Sequence, residues 1–264
     1  MRASHLLPGL ALLAAAACTA SVATRSAGGP AGAIDGAESL VRAMHGRYGA
    51  SWYRTLTFSQ QTARVPPGGG QPIVETWLEY GAMPGRLRIE MGPAEQQRGA
   101  IYANDSLYVV QNGAVVARRA DRNELMTLGF DVYTQPPEVT LRQLREEGFG
   151  LDAFHRDTWQ DRPVYVVGAA AGDLRSKQFW VDAERLVFVR MLDPNPRDTT
   201  QVQDVRFNNY RPLAGGWIAP EVEIVLNGQR VFHEVYSDIR ANVPLDPSLF
   251  DPARWTQAVH PPAR

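Results

Sequence analysis

Carboxylate side chains are the groups of this sequence whose spacing could serve catalysis. Glu75, Glu79 and Glu90 stand in two neighbouring segments in which apolar and polar residues alternate. Two carboxylates that face each other across a cleft can act as general acid and general base. Polar residues also recur at every second position on the solvent side of any one-sided sheet. We therefore interpret these glutamates as part of a solvated outer face.

The other reactive residue types form no recognisable catalytic or metal-binding pattern. The five histidines are scattered, with no HExxH motif and no Cys/His pair, so no metal site is predicted, and His233 is interpreted as an ordinary strand residue. The sequence also lacks a GxSxG nucleophile motif, and its glycine clusters at 67–71 and 213–217 have no lysine of the kind a phosphate loop needs. These observations predict a protein that is not an enzyme and that needs no cofactor.

The single cysteine, Cys18, follows the apolar run Leu6–Ala17, and Arg2 precedes that run. The run has the length of a secretory signal and is too short to span a bilayer. Residues 15–18, AAAC, resemble the site at which bacterial lipoproteins are cleaved and lipidated, which predicts a signal peptide at 1–17 and a lipid anchor on Cys18. The segment SVA at 21–23 also suits ordinary signal peptidase, which would remove Cys18 and release a soluble periplasmic protein.

The remaining chain divides into three predicted parts. Residues 18–34 are small and rich in Gly and Pro, which is typical of a flexible tether. A single domain is expected at 35–252, followed by a frayed C-terminal tail at 253–264. The formal net charge is -1 and there is no basic run, so a nucleic acid is not expected as a partner.

Two periodicities appear within the domain. A helical pattern begins with Asp35 and Glu38 in capping-box spacing and ends at Gly49. Its apolar face comprises Ala37, Leu40, Val41, Met44 and Tyr48. Beyond it, alternation predicts about ten or eleven strands joined by tight turns, interrupted by helical patterns near 121–130 and 137–148. The predicted fold class is α+β, with one large curled antiparallel sheet and helices on a single face.

Five segments resemble, in their order and spacing, the LolA/LolB-like outer-membrane lipoprotein-sorting proteins of bacteria. They are TLTFSQQ at 55–61, ETWLEYGAMPGRLRIEM at 75–91, QFWVDAERLVFVRM at 178–191, VRFNNYRPLAGGWIAPEVEI at 205–224 and NVPLDPSLFDP at 242–252. The resemblance implies an unclosed β half-barrel whose concave face, covered by the helices, holds acyl chains of lipoproteins or lipids. It also implies a place in the cell envelope, on the periplasmic side of the outer membrane. Met83 departs from the carriers, which have an arginine before the corresponding proline.

The alternating pattern, combined with this resemblance, assigns a ligand-binding wall and a lid. The wall residues are Leu56, Phe58, Leu78, Leu87, Ile89, Val222, Ile224, Phe232 and Tyr236. The lid residues are Leu125, Met126, Leu128 and Phe130. Periodicity alone leaves open whether these residues surround a cavity or fill a core, since every sheet covered by helices has such a face.

An alternative function for the same fold is an envelope sensor or interaction module that binds another protein. Its contact surface would be an exposed row of tryptophans, since large exposed apolar patches mark partner sites. The candidate residues are Trp52, Trp77, Trp159, Trp180 and Trp217.

Overall fold

The computed structural model describes residues 33–66 and 68–262. Cys18, the predicted signal peptide and nearly all of the predicted tether lie outside these residues. The described residues form one compact unit. The strands are β1 (Thr55–Arg64), β2 (Ile73–Ala82), β3 (Arg86–Met91), β4 (Gly99–Ala103), β5 (Ser106–Gln111), β6 (Ala114–Ala120), β7 (Phe154–Trp159), β8 (Arg162–Val167), β9 (Gln178–Asp182), β10 (Phe188–Asn195), β11 (Asp198–Asn208), β12 (Arg211–Leu213), β13 (Gly216–Ile218), β14 (Glu221–Leu226) and β15 (Gln229–Ala241).

In the described part of the chain, thirteen strands form one antiparallel sheet in the order β6-β5-β4-β3-β2-β1-β15-β14-β11-β10-β9-β8-β7, and β12 pairs with β13. The edge strands β6 and β7 do not pair with each other, so the sheet is not closed into a barrel. The sheet is larger than the half-barrel of about ten or eleven strands that alternation predicts. The prediction omits β7 because FHRDTW is mostly polar, and β12 and β13 because each is only three residues long.

The helices are α1 (Ala37–Tyr48), α2 (Glu124–Met126), α3 (Val132–Thr134) and α4 (Pro137–Glu146), with a π-helical turn at Thr127–Asp131 and 3-10 helices at Ala94–Gln96, Pro247–Phe250 and Pro252–Gln257. All five residues of the predicted apolar face of α1 are buried. Its N-terminus is held by Ser39, whose hydroxyl accepts the backbone N–H groups of Asp35 and Gly36, while Glu38 pairs with Arg42 instead. No helix among the described residues is both long and apolar enough to cross a membrane.

One half of the concave face is solidly packed. Helix α1 contacts α3 and α4, and the three helices share one core with β8, β9, β10 and β11. Leu40 and Met44 of α1 and Leu144 of α4 are fully buried there, as are Phe179 of β9 and Phe188 of β10. For this half of the sheet, the concave side is a filled core.

The C-terminal segment packs on the opposite, convex side of β2, β3 and β4. Leu249 and Phe250 contact Tyr80, and Trp255 contacts Ile101. Within the tail predicted at 253–264, the 3-10 helix Pro252–Gln257 continues as far as residue 257, and Trp255 is buried. The sequence contained one signal for this packing, because an aromatic side chain of this size is rarely left in water.

Candidate functional site

The other half of the concave face is hollow. A cavity of about 360 Å³ lies between β1, β2, β3, β14 and β15 below and the residues around α2 above. This volume is within the range of small-molecule sites, and the lining is mostly apolar and aromatic, as such sites usually are. Eight of the nine predicted wall residues line it: Leu56, Phe58, Leu87, Ile89, Val222, Ile224, Phe232 and Tyr236.

Strand pairing brings the wall residues of β14 and β15 together. Val222 lies opposite Glu234, and Ile224 lies opposite Phe232. Because side chains alternate between the faces of a strand, Phe232, Glu234 and Tyr236 all point to the concave side. Every second residue of β15 from Phe232 to Tyr236 therefore contributes to the wall, and one of these residues, Glu234, carries a carboxyl group.

Leu78 is the predicted wall residue that the structure places elsewhere. It is 41% exposed, and it lies on the convex side of β2. The cavity side of this strand carries Trp77, Glu79 and Gly81 instead. A shift of one residue moves every side chain of a strand to the other face, and in β2 the face with the better apolar pattern is the outer one.

The roof of the cavity begins at Asn123. The Asn123 side chain accepts the backbone N–H groups of Leu125 and Met126, which caps α2, so the predicted cap at Asp121 is replaced. Leu125, Met126 and Phe130 line the cavity as predicted for a lid. Leu128 does not line it, because the π-helical turn directs this residue into the filled core, where it is 1% exposed.

Several lining residues are absent from the sequence prediction. Met91, Tyr102 and Phe207 extend the apolar wall, and Met83 lies in the wall at the position where the resembled carriers have an arginine. Tyr102 and Phe207 belong to β4 and β11. Their contribution depends on how far the sheet curls, which alternation does not encode.

Two glutamates face the cavity. Glu234 accepts a hydrogen bond from Gln60 Nε2 at 2.8 Å and another from the Tyr236 hydroxyl at 2.9 Å. Glu79 is only 8% exposed, and its carboxyl makes no hydrogen bond to any described residue. Tyr236 also stacks on Phe58, with ring centroids 4.1 Å apart, which fixes the orientation of its hydroxyl.

The surroundings of both carboxyls disfavour their charged forms. Burial, reinforced by the negative charge of Glu234, raises the pKa of Glu79 well above its ordinary value. Burial raises the pKa of Glu234 to about 7, although its bonds from Tyr236 and Gln60 lower the pKa in part. The Glu234 side chain is half-buried, because part of its surface is exposed to the cavity. The cavity thus contains two carboxyl groups whose pKa values are both raised above the ordinary value of a glutamate.

The three glutamates that could have formed an acid/base site do not come together in the structure. Glu79 faces the cavity, which corrects its interpretation as a solvated residue. Glu90 lies on the convex side, where it accepts a hydrogen bond from Arg88 Nε at 2.6 Å. Glu75 pairs with Arg98 and Arg64. These three side chains therefore form no common site.

Solved structures share this architecture. A LolA-superfamily protein from Nitrosomonas europaea gives a TM-score of 0.49 at 11% identity, over 80% of this chain and 96% of that chain. A domain named for outer-membrane lipoprotein sorting, from Vibrio parahaemolyticus, gives a TM-score of 0.52 at 10% identity, over 83% of this chain and 97% of that chain. The fold is LolA-like. A DUF1329 family protein from Desulfovibrio piger gives a TM-score of 0.52 at 13% identity, over 81% of this chain and 95% of that chain. No family model and no curated protein sequence matches the chain.

One group of possible metal ligands occurs among the described residues of the LolA-like domain. Glu221, Glu223 and His233 place ligand atoms within 4.8 Å of one another on the convex side. His233 Nε2 already contacts Glu221 Oε1 at 2.8 Å, and Arg230 pairs with Glu223 at 2.8 Å. These contacts account for the cluster as a partly exposed network of ion pairs.

The tryptophans do not form an exposed row. Trp52, Trp77 and Trp180 are buried, and Trp159 and Trp217 are half-buried. Trp77 lines the cavity, and Trp52 and Trp217 pack on Tyr48 of α1. Trp159 and Trp180 pack on Arg190 on the convex side. The described residues therefore do not present the exposed row of tryptophans that the interaction-module alternative requires.

Proposed function

We propose that this protein binds an acyl chain of a lipid or lipoprotein in the cavity beneath the Leu125–Phe130 roof, as a non-enzymatic carrier or receptor in the cell envelope. The observation that carries the proposal is a space of about 360 Å³, lined mainly by apolar side chains, on a sheet whose other half is filled. The likeness to a domain named for outer-membrane lipoprotein sorting supports it.

The energetics suit reversible binding. Each methylene removed from water contributes about 0.8 kcal/mol, so about six methylenes in the cavity would contribute roughly 5 kcal/mol. Ordering the chain and the roof opposes part of this gain. Such a balance favours capture of an acyl chain while leaving its release possible.

The N-terminal sequence supports membrane anchoring as part of this proposal. Lipidation of Cys18 would leave the LolA-like domain on a tether from the lipid surface. The mass of the mature N-terminus tests this directly: a first residue at Cys18 with added acyl groups is expected, whereas a first residue at Thr24 excludes the anchor. In the anchored case, Cys18→Ser should move the protein from the membrane fraction to the soluble fraction, and Ser21→Ala should leave it in the membrane.

Binding is tested by extracting lipid from the protein purified after export. Mass spectrometry should find a stoichiometric acyl-chain compound in the wild type and much less in Ile224→Trp, whose indole would occupy the cavity. Thr256→Ala, on the exposed part of the C-terminal segment, is the matched control and should retain the lipid. If the wild type and Ile224→Trp carry equal amounts of lipid, the cavity is not the binding site.

A further inference from the structure

The cavity is lined by acidic side chains without a basic partner among the described residues. Among the described residues that line it there are two carboxyl groups, Glu79 and Glu234, and no Lys, Arg or His. The other ionisable side chains of the lining are the phenols Tyr102 and Tyr236, which carry no positive charge. A buried carboxylate normally has a cation or several donors close by, because an unpaired charge is costly in an apolar site.

The two carboxyl groups differ in the hydrogen bonds that they accept. Glu234 has donors on both oxygens, from Gln60 and Tyr236, so its position is fixed. Glu79 is more than nine-tenths buried, faces the cavity and has no hydrogen-bond partner among the described residues. Its free oxygens are directed at the space that the proposed function assigns to a ligand.

The position of Glu79 in the wall does not suit a purely apolar ligand. A side chain at this position of β2 has Phe58 of β1 and Ile89 of β3 as its cross-strand neighbours, so an apolar residue would complete the wall. An acid there instead places a carboxyl group without a protein hydrogen-bond partner against the cavity space. A ligand that donates to Glu79 would supply the missing partner, and an ammonium group would also stabilise the charged form of this carboxyl.

We propose that the cavity selects amphiphiles whose polar head carries an ammonium group, with that group held by Glu79 beside Glu234 and the alkyl chain lying along the apolar wall. This assignment rests on the proposed function, since it names the class of lipid that the same cavity takes. Anionic amphiphiles are disfavoured by the same two carboxyls, so a free fatty acid is not the preferred ligand.

The test uses three probes with the same chain length, namely dodecylammonium, dodecanol and dodecanoate, below their micelle concentrations. Binding is measured by calorimetry at pH 8 with the chain from Gly32 onward, which contains the whole compact unit. Dodecylammonium should bind about 10- to 100-fold more tightly than dodecanol, the range expected for one desolvated charged hydrogen bond, and dodecanoate should bind most weakly.

Glu79→Gln tests the assigned residue. This variant should bring the affinity for dodecylammonium down to that for dodecanol while leaving dodecanol binding within about twofold of the wild type. Glu95→Gln, an exposed glutamate outside the cavity, removes the same charge and should leave all three affinities unchanged. Retained dodecanol binding and an unchanged melting temperature show that Glu79→Gln is folded.

The outcomes separate the two proposals. Failure of all three probes to bind the wild type would overturn the proposed function. Equal binding of the three probes, or a preference for dodecylammonium that survives in Glu79→Gln, would leave acyl-chain binding intact and overturn the ammonium assignment alone. A preference that falls equally in Glu79→Gln and Glu95→Gln would reflect overall charge, and this result would also overturn the assignment.

Discussion

The guanidinium carbon of Arg88 lies 3.7 Å from the centre of the Trp255 ring, and Arg88 Nη2 donates to the backbone carbonyl of Trp255 at 3.0 Å. Arg88 Nη1 also donates to the carbonyl of Leu249, at 3.3 Å. The arginine is only 1% exposed, although its position on β3 belongs to the side that alternation assigns to solvent. The C-terminal segment therefore covers the back of the strands that form the cavity wall.

Trp255→Ala should release this segment from the convex side. The substitution removes a buried indole and the aromatic partner of Arg88, and losses of this kind cost about 3–5 kcal/mol. Urea unfolding measures the loss of stability, and limited proteolysis should show faster cleavage after Phe250. Thr256→Ala changes an exposed neighbour and should leave both readouts unchanged, whereas a Trp255→Ala chain that stays equally protected would mean that Arg88 does not retain the segment.

The filled and hollow halves of the concave face should respond oppositely to substitution. Leu144→Ala opens a void in the filled core and should lower the free energy of unfolding by about 2–5 kcal/mol, without moving the cavity wall. Ile224→Trp adds volume where space already exists, so it should change the free energy of unfolding by less than about 1 kcal/mol. Added volume is strongly destabilising only where the core is already well packed.

Urea unfolding and dodecanol binding, measured on both variants, separate the two effects. A large loss of stability in Ile224→Trp would show that the cavity is already occupied by protein atoms.

Asp131, in the π-helical turn, should make the protein less stable as the pH rises. Burial, opposed in part by a hydrogen bond from the Gly85 N–H, raises the pKa of this carboxyl from 3.8 to about 7. The folded state then binds the proton more tightly than the unfolded state, so the stabilisation present below about pH 4 is lost between about pH 4 and 7. The largest effect is about 4 kcal/mol.

Asp131→Asn should remove this component of the pH dependence. The amide oxygen can still accept the Gly85 N–H, and the side chain no longer ionises. Urea unfolding at pH 5 and pH 8 should therefore show a smaller decrease in stability for the variant than for the wild type. Asp152→Asn, at an exposed position, should show the decrease of the wild type. Identical profiles for Asp131→Asn and the wild type would contradict the assignment.

Ammonium binding should strengthen with pH if the cavity carboxyls hold the ligand head. Burial raises the pKa of Glu234 to about 7, so this carboxyl loses its proton as the pH rises through that value, while dodecylammonium keeps its charge. Burial raises the pKa of Glu79 in the same direction. The phenols Tyr102 and Tyr236 stay neutral, because burial raises the pKa of each above its ordinary value. Calorimetry should show an affinity that increases with pH for dodecylammonium and stays flat for dodecanol.

Sequence periodicity predicts most of the wall because most wall strands have one clearly apolar face. In β3, Leu87 and Ile89 alternate with charged residues, and both line the cavity. In β2, Leu78 and Tyr80 form the more apolar face, yet Glu79 faces the cavity. The sequence-based assignment of β2 fails because the polar group stands in the interior and the C-terminal segment covers part of the exterior.

The features that the sequence does not predict depend on distant parts of the chain. The position of Leu128 follows from a π-helical turn, which has no simple residue pattern. The burial of Arg88 depends on Leu249 and Trp255, which follow it in the chain by 161 and 167 residues. Whether the concave face is filled or hollow depends on where α1 and α4 pack. The alternation of apolar and polar residues in the strands carries no information on the positions of these helices.

The division of one sheet into a filled half and a hollow half separates the residues that hold the fold together from those that line the cavity. Exchanges along the inner faces of β2, β14 and β15 can therefore alter the size and polarity of the cavity with little loss of folding stability. This part of the LolA-like domain is therefore where selection can adapt specificity most freely, and where redesign for a different amphiphile should begin.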